Sequence, residues 1–277
     1  MRRHFHQVDV FTSEPYRGNP VAVVHDADGI PDEVLLRFAQ WTNLSETTFL
    51  LPPTGAEADY RVRIFTPIAE LPFAGHPTLG TCHAWLEAGG VPHDPAEIVQ
   101  ECAAGLIRIR RAADGELAFA EPPLLRSGPV ADATVDRVAE VLRIPRAAIS
   151  DAQWADNGPG WVAVLLSSAA EVLALEPGFV DFDLGVVGPY PEGSAAAFEV
   201  RAFFPLNGAT VEDPVTGSLN ASLAGWLIRS GRAHAPYVAH QGTAIGRAGQ
   251  VRIIQDAAGT IWIGGGTVTC ISGEVEI

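Results

Sequence analysis

The chain has 277 residues, and Lys+Arg of 18 against Asp+Glu of 33 leaves a formal net charge of −15. A composition that is 47% hydrophobic provides a sizeable core for two domains of about 130 residues each, while so acidic a balance excludes nucleic-acid backbone binding as the main task. All 18 cationic side chains are Arg; without Lys there is neither a Schiff-base lysine nor a Walker-type Gly-Lys-Ser/Thr loop.

The first residues, Met1 to Val10, carry two Arg with no apolar stretch behind them, which is not the pattern of a signal peptide. Alternation predicts a strand over His4–Thr12, a Gly18-Asn19-Pro20 turn and a second strand at Val21–Val24. Asp32–Trp41 reads as a helix, with Asp32 as its N-cap and Val34, Leu35, Phe38 and Trp41 on one face. Asn43 to Leu51 reads as a turn entering a strand, ended by Pro52-Pro53.

Further along lies an internal repeat. Tyr60–Ile68 matches Phe198–Leu206 in register, with Val, Arg, Phe and Pro in common at a spacing of 138. Each strand is followed by a Gly/Pro-rich turn and a small-residue helix. The helices end alike, Ala84-Trp85-Leu86 against Gly225-Trp226-Leu227, and the Trp spacing of 141 puts three extra residues in the second turn. Helices so rich in Gly, Ala, Ser and Thr fit deep inside a sheet or barrel. Their starts are alike too. Gly75-His76-Pro77-Thr78 places Pro where its missing donor costs nothing, and Asp213-Pro214-Val215-Thr216-Gly217-Ser218 offers Ser218 as a cap. Between the copies, Glu121 to Pro129 reads as a linker and Val130–Leu142 as an amphipathic helix (Val135, Val138, Val141, Leu142). Ser168-Ala169-Ala170-Glu171 has capping-box spacing. Gly264-Gly265-Gly266 precedes a last strand, Thr267–Ile277. The longest apolar run, Trp161–Leu166, is too short to span a bilayer. Cys82, Cys102 and Cys270 form neither a disulfide framework nor a zinc set. A soluble protein in a reducing cytoplasm is the simplest expectation.

Two related helix N-termini either serve only the fold, or together hold a small anion such as a substrate carboxylate on their unpaired N–H groups. Glu46 is either a solvated glutamate at a strand edge or a general acid/base whose pKa is raised in an apolar cleft. His76 is a core or capping histidine, or a donor to substrate and second acid/base. Asp213 with Glu212 either stabilises a helix dipole or, if buried, binds a substrate amine or hydroxyl. Ser218 is more often a cap than a nucleophile, since no G-x-S-x-G elbow accompanies it. Gln241 to Arg247 lacks the dinucleotide-binding glycine pattern. His4 and His6 share one face of a strand without a third ligand, so no metal is expected.

Together these segments resemble the PhzF family, the phenazine-biosynthesis isomerase-like proteins related in fold to diaminopimelate epimerase and proline racemase. The resemblance rests on Gly18-Asn19-Pro20, Asn43-Leu44-Ser45-Glu46-Thr47, Phe65-Thr66-Pro67, Glu70 to Gly80 around Gly75-His76-Pro77-Thr78, Glu212-Asp213-Pro214-Val215-Thr216-Gly217-Ser218, and Gln241-Gly242 with Gly246-Arg247. It runs from about residue 5 to the C-terminus.

The resemblance implies an α+β fold of two similar lobes, each a β-barrel-like sheet wrapped around a central helix, with the active site in the cleft between them. The N-terminal lobe would span residues 1–124 with a returning strand 268–277, and the C-terminal lobe 125–267. It implies a cofactor-independent, metal-free isomerase in which Glu46 moves a proton between carbons of a small carboxylate. His76 and Asp213 would be catalytic partners, and Ser45, Gly75, Gly217 and Ser218 would bind substrate. Related epimerases use two cysteines at the helix starts, where this chain has Ala74 and Asp213. Two-thiol racemisation is therefore not available, and a single carboxyl favours isomerisation along one face. The alternatives are a non-catalytic small-molecule-binding member and an epimerase using Glu46 and Asp213 as opposed bases. The expected partners are a small carboxylate substrate and a second copy of the chain as a homodimer, with neither nucleic acid nor membrane.

Overall fold

A computed structural model describes residues 1–112 and 114–277. The chain divides into two compact units, Met1–Ala120 with Gly264–Ile277, and Glu121–Ile263. The elements of the first unit are β1 (Arg2–Val10), β2 (Asn19–Val24), α1 (Asp32–Thr42), β3 (Glu46–Leu51), β4 (Tyr60–Phe65), β5 (Glu70–Leu71), α2 (Gly75–Glu87), β6 (Glu97–Cys102), β7 (Gly105–Arg111) and β8 (Leu117–Ala120). In the second unit come β9 (Arg126–Pro129), α3 (Asp132–Leu142), β10 (Asp151–Asp156), β11 (Val162–Leu165), α4 (Ala169–Leu173), β12 (Leu184–Pro189), β13 (Phe198–Leu206), β14 (Ala209–Asp213), α5 (Gly217–Arg229), β15 (Tyr237–Gln241) and β16 (Gly249–Gln255). The chain then runs through β17 (Ile261–Gly265) to β18 (Thr267–Glu276), which belongs to the first unit.

Strand pairing repeats between the units step by step. In the first, β18 to β1 and β1 to β2 are antiparallel, β2 to β3 parallel, β3 to β4 and β4 to β5 antiparallel, β4 to β6 parallel and β6 to β7 antiparallel. In the second, β9–β10, β10–β11, β11–β12, β12–β13, β13–β14, β13–β15 and β15–β16 follow the same sequence of directions. Helices enter at the same steps, α1 and α4 at the first parallel crossover, α2 and α5 at the second. Side-chain detail is repeated as well. Arg63 meets Glu70 with Nε–Oε1 at 2.7 Å and Nη2–Oε2 at 2.6 Å, and lies 5.1 Å over the Phe65 ring. Arg201 meets Glu212 at 3.0 and 2.6 Å and lies 4.9 Å over Phe203. The fold is α+β, with each unit a barrel-like sheet wrapped around its central helix.

Small residues let those helices sit inside the sheets. In α2, the residues Gly75 to Cys82 and Ala84 are buried, and the helix packs against β1, β2, β3 and β8. A Cβ on Gly80 would lie 2.3 Å from Val21 Cγ1 and 3.0 Å from Val10 Cγ2. Gly80→Ala is therefore expected to lower stability by about 1–3 kcal/mol through overpacking, read as a lower urea midpoint with an unchanged slope. In the second unit the close approach is reversed: a Cβ on Gly185 of β12 would meet Leu219 Cδ1 of α5 at 2.4 Å.

The outer helices fill their faces conventionally. On α3, Val135, Val138, Val141 and Leu142 are buried against Val164, Leu184, Val186 and Phe203. On α1, Leu35 and Ala39 join Val24, Phe49 and Phe65. Trp41 departs from the expected face and is 80% exposed, its ring tilted against Phe38. Asp32 is the first helical residue rather than the cap, which falls to Pro31 without a side-chain bond. The first strand stops at Val10 because Phe11 adopts a φ of 64°. The expected linker is partly strand, since Arg126–Pro129 pairs with β10. At α4 half of the capping box forms: Ser168 Oγ accepts from the Glu171 N–H, while Glu171 Oε2 accepts from the N–H of Ser167, one residue before the cap.

Candidate active site

In the first unit, β3 begins at Glu46 and α2 begins at Gly75, so the parallel β2–β3 pair and the buried helix bring Glu46 and His76 together. His76 Nε2 lies 3.4 Å from Glu46 Oε2, with the two side chains only 5% and 15% exposed. Asn19, the first residue of β2, places its side-chain nitrogen 3.5 Å from His76 Nδ1. The turn before it is fixed by Asp9, whose Oδ2 accepts from the N–H groups of Arg17 and Gly18. Gly18 is required there, because a Cβ would lie 2.1 Å from the Val10 carbonyl oxygen.

Burial pulls the His76 pKa down to about 3, opposed by a hydrogen bond to the Pro20 carbonyl. Pro20 has no N–H, so the ring donates to it, and Nε2 has no hydrogen-bond partner; the donor is thus assigned as Nδ1. The neutral ring then presents the Nε2 lone pair to Glu46. A hydrogen held between Oε2 and Nε2 comes from a protonated Glu46, and an ionised Glu46 faces that lone pair with nothing between. This geometry sets a partly buried carboxyl beside a neutral hydrogen-bond acceptor.

A second histidine lies at the other end of β2. His25 Nε2 is 2.8 Å from His6 Nδ1, and burial first, then His6, lower the His25 pKa to about 4. Both His25 and His76 are neutral when folded and take up protons below about pH 6.5 when unfolded. Their contribution to stability is therefore complete above that pH and is lost as pH falls toward about 4 and about 3. The urea midpoint is expected to decline between about pH 7 and about pH 5; a flat midpoint would contradict the neutral pair.

Ser45 is partly buried beside Glu46. The first intrahelical bond of α2 is donated by Thr78 to Ala74, which leaves the Gly75 and His76 N–H groups without an acceptor inside the helix. The cap residue, Ala74, supplies no side-chain bond.

In the second unit, Asp213 ends β14 and is 9% exposed. Thr216 Oγ1 donates to Asp213 Oδ2 at 2.5 Å. Gln241 Nε2 donates to Thr216 Oγ1 and to the Asp213 carbonyl, while its Oε1 accepts from the Thr216 N–H and from Asn220. Since Thr216 Oγ1 already receives the Gln241 hydrogen, its own hydrogen goes to Asp213, which is held as an acceptor. Glu212 does not serve the helix dipole but pairs with Arg201. Ser218 is not the cap of α5; that is Thr216, without a side-chain bond. Ser218 Oγ accepts from Trp161 Nε1 at 3.1 Å, and its carbonyl from Asn157. Gly217, the first residue of α5, is buried.

Glu46, Ser45, Gly75 and His76 thus belong to the first unit, and Asp213, Gly217 and Ser218 to the second. The reading of motifs missed Thr216, Gln241, Trp161 and the Pro20 carbonyl as supports. Gln241 had a signal: it follows Gln100 at the same 141-residue spacing as the two Trp, and Gln100 likewise donates to the first turn of its helix, at Thr78 Oγ1. Among the described residues no group of three or more His, Cys, Asp or Glu could hold a metal ion, and no helix is long and apolar enough to cross a membrane.

Comparison with known proteins agrees with this architecture. Residues 8–273 match a family described as phenazine biosynthesis-like protein, PhzC-PhzF. Antisense-enhancing sequence 1 of Schizosaccharomyces pombe is 36% identical over 98% of this chain and 97% of its own. The trans-2,3-dihydro-3-hydroxyanthranilate isomerase of Pseudomonas aeruginosa is 35% identical over 91% of this chain and 90% of its own. Among solved structures, a PhzF family phenazine biosynthesis protein of Bacillus anthracis superposes with a TM-score of 0.83 at 23% identity, covering 100% of both chains.

Proposed function

The chain belongs to the phenazine biosynthesis-like PhzF family and is an isomerase, and from that premise we propose that it works without a cofactor, moving one proton between carbons of a small unsaturated carboxylate with Glu46 as the acid/base. The observation that carries this reading is the Glu46 Oε2 to His76 Nε2 approach of 3.4 Å at a buried helix start. Glu46 takes the proton from the donor carbon; His76, neutral because burial lowers its pKa to about 3, accepts a hydrogen bond from the carboxyl so formed; and Glu46 then gives the same proton to the acceptor carbon. No Lys is present to form a Schiff base, so activation of the carbon comes from conjugation within the substrate and from polarisation of its carboxylate.

The N–H groups of Gly75 and His76 anchor that carboxylate. Asp213, fixed as an acceptor by Thr216, is assigned to a substrate hydroxyl or amine, with Ser45, Gly217 and Ser218 as further anchors. The activity named for the Pseudomonas aeruginosa relative makes a cyclic amino- or hydroxy-substituted dienoic acid the substrate class of choice.

The test is carbon-bound deuterium uptake. A panel of such acids is incubated in heavy water with the wild-type protein and with Glu46→Gln, and followed by NMR. Uptake by wild type that is absent with the variant supports the reading; uptake that persists undiminished in the variant removes Glu46 from the chemistry.

A further inference from the structure

Against the outer face of the first unit lies a cavity of about 550 Å³, on β4 between the start of α1 and the ends of β5 and β6. It shares no lining residue with Ser45, Glu46, Gly75 or His76. Its walls include Ala27, Leu35, Leu51, Val62 and Leu71, and its charged groups include Arg61 and Asp28.

Most charges there are already spoken for. Arg63 holds Glu70 in a two-point bond and Asp32 at 2.7 Å. Glu101 accepts from the Thr54 N–H at 2.7 Å and from Thr54 Oγ1. Arg61 stands opposite Glu101 in the β4–β6 pairing and its charge acts on that carboxylate, but its Nε is buried and has no hydrogen-bond partner. A buried guanidinium donor without an acceptor is costly unless something supplies one. On the rim, Asp28 is exposed and makes no ion pair among the described residues.

The duplicated unit shows what the same location becomes when it is filled. By the 138-residue spacing, Arg61 corresponds to Glu199 and Arg63 to Arg201. Glu199 is fully buried, with the Tyr190 hydroxyl donating to its Oε2 at 2.7 Å. Arg201 donates to the carbonyls of Val172 and Leu175 at the end of α4, which closes over it. In the first unit it is the N-terminus of α1 that arrives, at Asp32, which bonds Arg63.

We infer that this cavity is a binding site, separate from the isomerase centre, for a small amino acid-like zwitterion with an apolar side chain. The carboxylate sits on Arg61, the apolar body lies against Leu35, Leu51 and Val62, and the ammonium group faces Asp28. Its size is that of an ordinary small-molecule pocket, roughly 300–1,000 Å³. The acidic surroundings, with Asp28, Asp32, Glu70 and Glu101 against two Arg, reject phosphates and dicarboxylates and favour a ligand that brings its own positive charge.

The probe is L-phenylalanine, with 3-phenylpropanoate lacking the amine and phenethylamine lacking the carboxylate, titrated into the full chain by calorimetry and followed by amide NMR. Saturable binding of phenylalanine is expected, with amide shifts at Gly29 and Ala103. Binding should be weakened at least about tenfold for both analogues and for Arg61→Met, the loss expected for a charge-assisted bond. Asp28→Asn, on the exposed rim, keeps the test available if Arg61→Met does not fold, and should weaken phenylalanine but not 3-phenylpropanoate. The inference is overturned by absence of saturable binding at millimolar phenylalanine, by equal affinity in both variants, or by shifts confined to Ser45 and Gly75.

Discussion

Glu46→Gln is expected to lower turnover by roughly 10²–10⁴-fold, the usual contribution of a positioned acid/base. The substitution keeps the shape of the side chain, and the glutamine amide donates to His76 Nε2 across the same 3.4 Å gap. What disappears is the transferable proton. Substrate affinity and the unfolding midpoint should therefore change little while the rate collapses, a split between kcat and KM that a merely structural role would not produce. Steady-state kinetics on the first carboxylate that takes up deuterium provide the measurement. A variant retaining more than about a tenth of the wild-type rate would place the proton transfer elsewhere.

The largest stability effect is expected at Arg201. Its guanidinium is 7% exposed and holds Glu212, itself 10% exposed, while a further nitrogen bonds two carbonyls at the end of α4. Arg201→Met leaves a carboxylate buried beside two carbonyls with no donor, a loss of about 3–5 kcal/mol for breaking a buried pair from one side. The duplicated unit supplies the control. Arg63 makes the same two-point bond to Glu70, but those side chains are 25% and 35% exposed and Asp32 is 78% exposed. Water replaces what Arg63→Met removes, so that change is expected to cost only about 0–1 kcal/mol. Urea unfolding of the two variants checks the contrast, and equal losses would refute it.

Much of the fold was legible in the chain because the duplication writes each element twice. Tyr60–Ile68 and Phe198–Leu206 announce matching strands, and the structure extends the match to seven strand pairings and two Arg–Glu pairs. The helices were legible from their ends and small residues, since only Gly permits the approach of α2 to Val21. Trp41 was misplaced because periodicity assigns a face and not its width: Leu35 and Ala39 already fill the stripe against Phe49, and the last turn overhangs it. Ser218 was read as a cap because its residue type suits one, whereas Trp161, 57 positions away, takes its Oγ. Such long-range bonds leave no local pattern. The same holds for Gln241, which satisfies four groups around Asp213 yet shows in the sequence only as one residue of a Gly-containing turn. Glu46 and His76 stood out through their motifs, but their approach depends on the parallel pairing of β2 with β3 and on the burial of α2, neither of which spacing reveals.

The claim on which the account depends is that one carboxyl carries the same hydrogen from one carbon to another. It is tested most directly with a substrate deuterated at the donor carbon, taken through a single turnover in ordinary water. The account predicts that part of the deuterium appears at the acceptor carbon of the product, with every stereocentre retained. Complete loss of label to solvent together with inversion at a stereocentre would contradict it, since that is the outcome of two bases working on opposite faces.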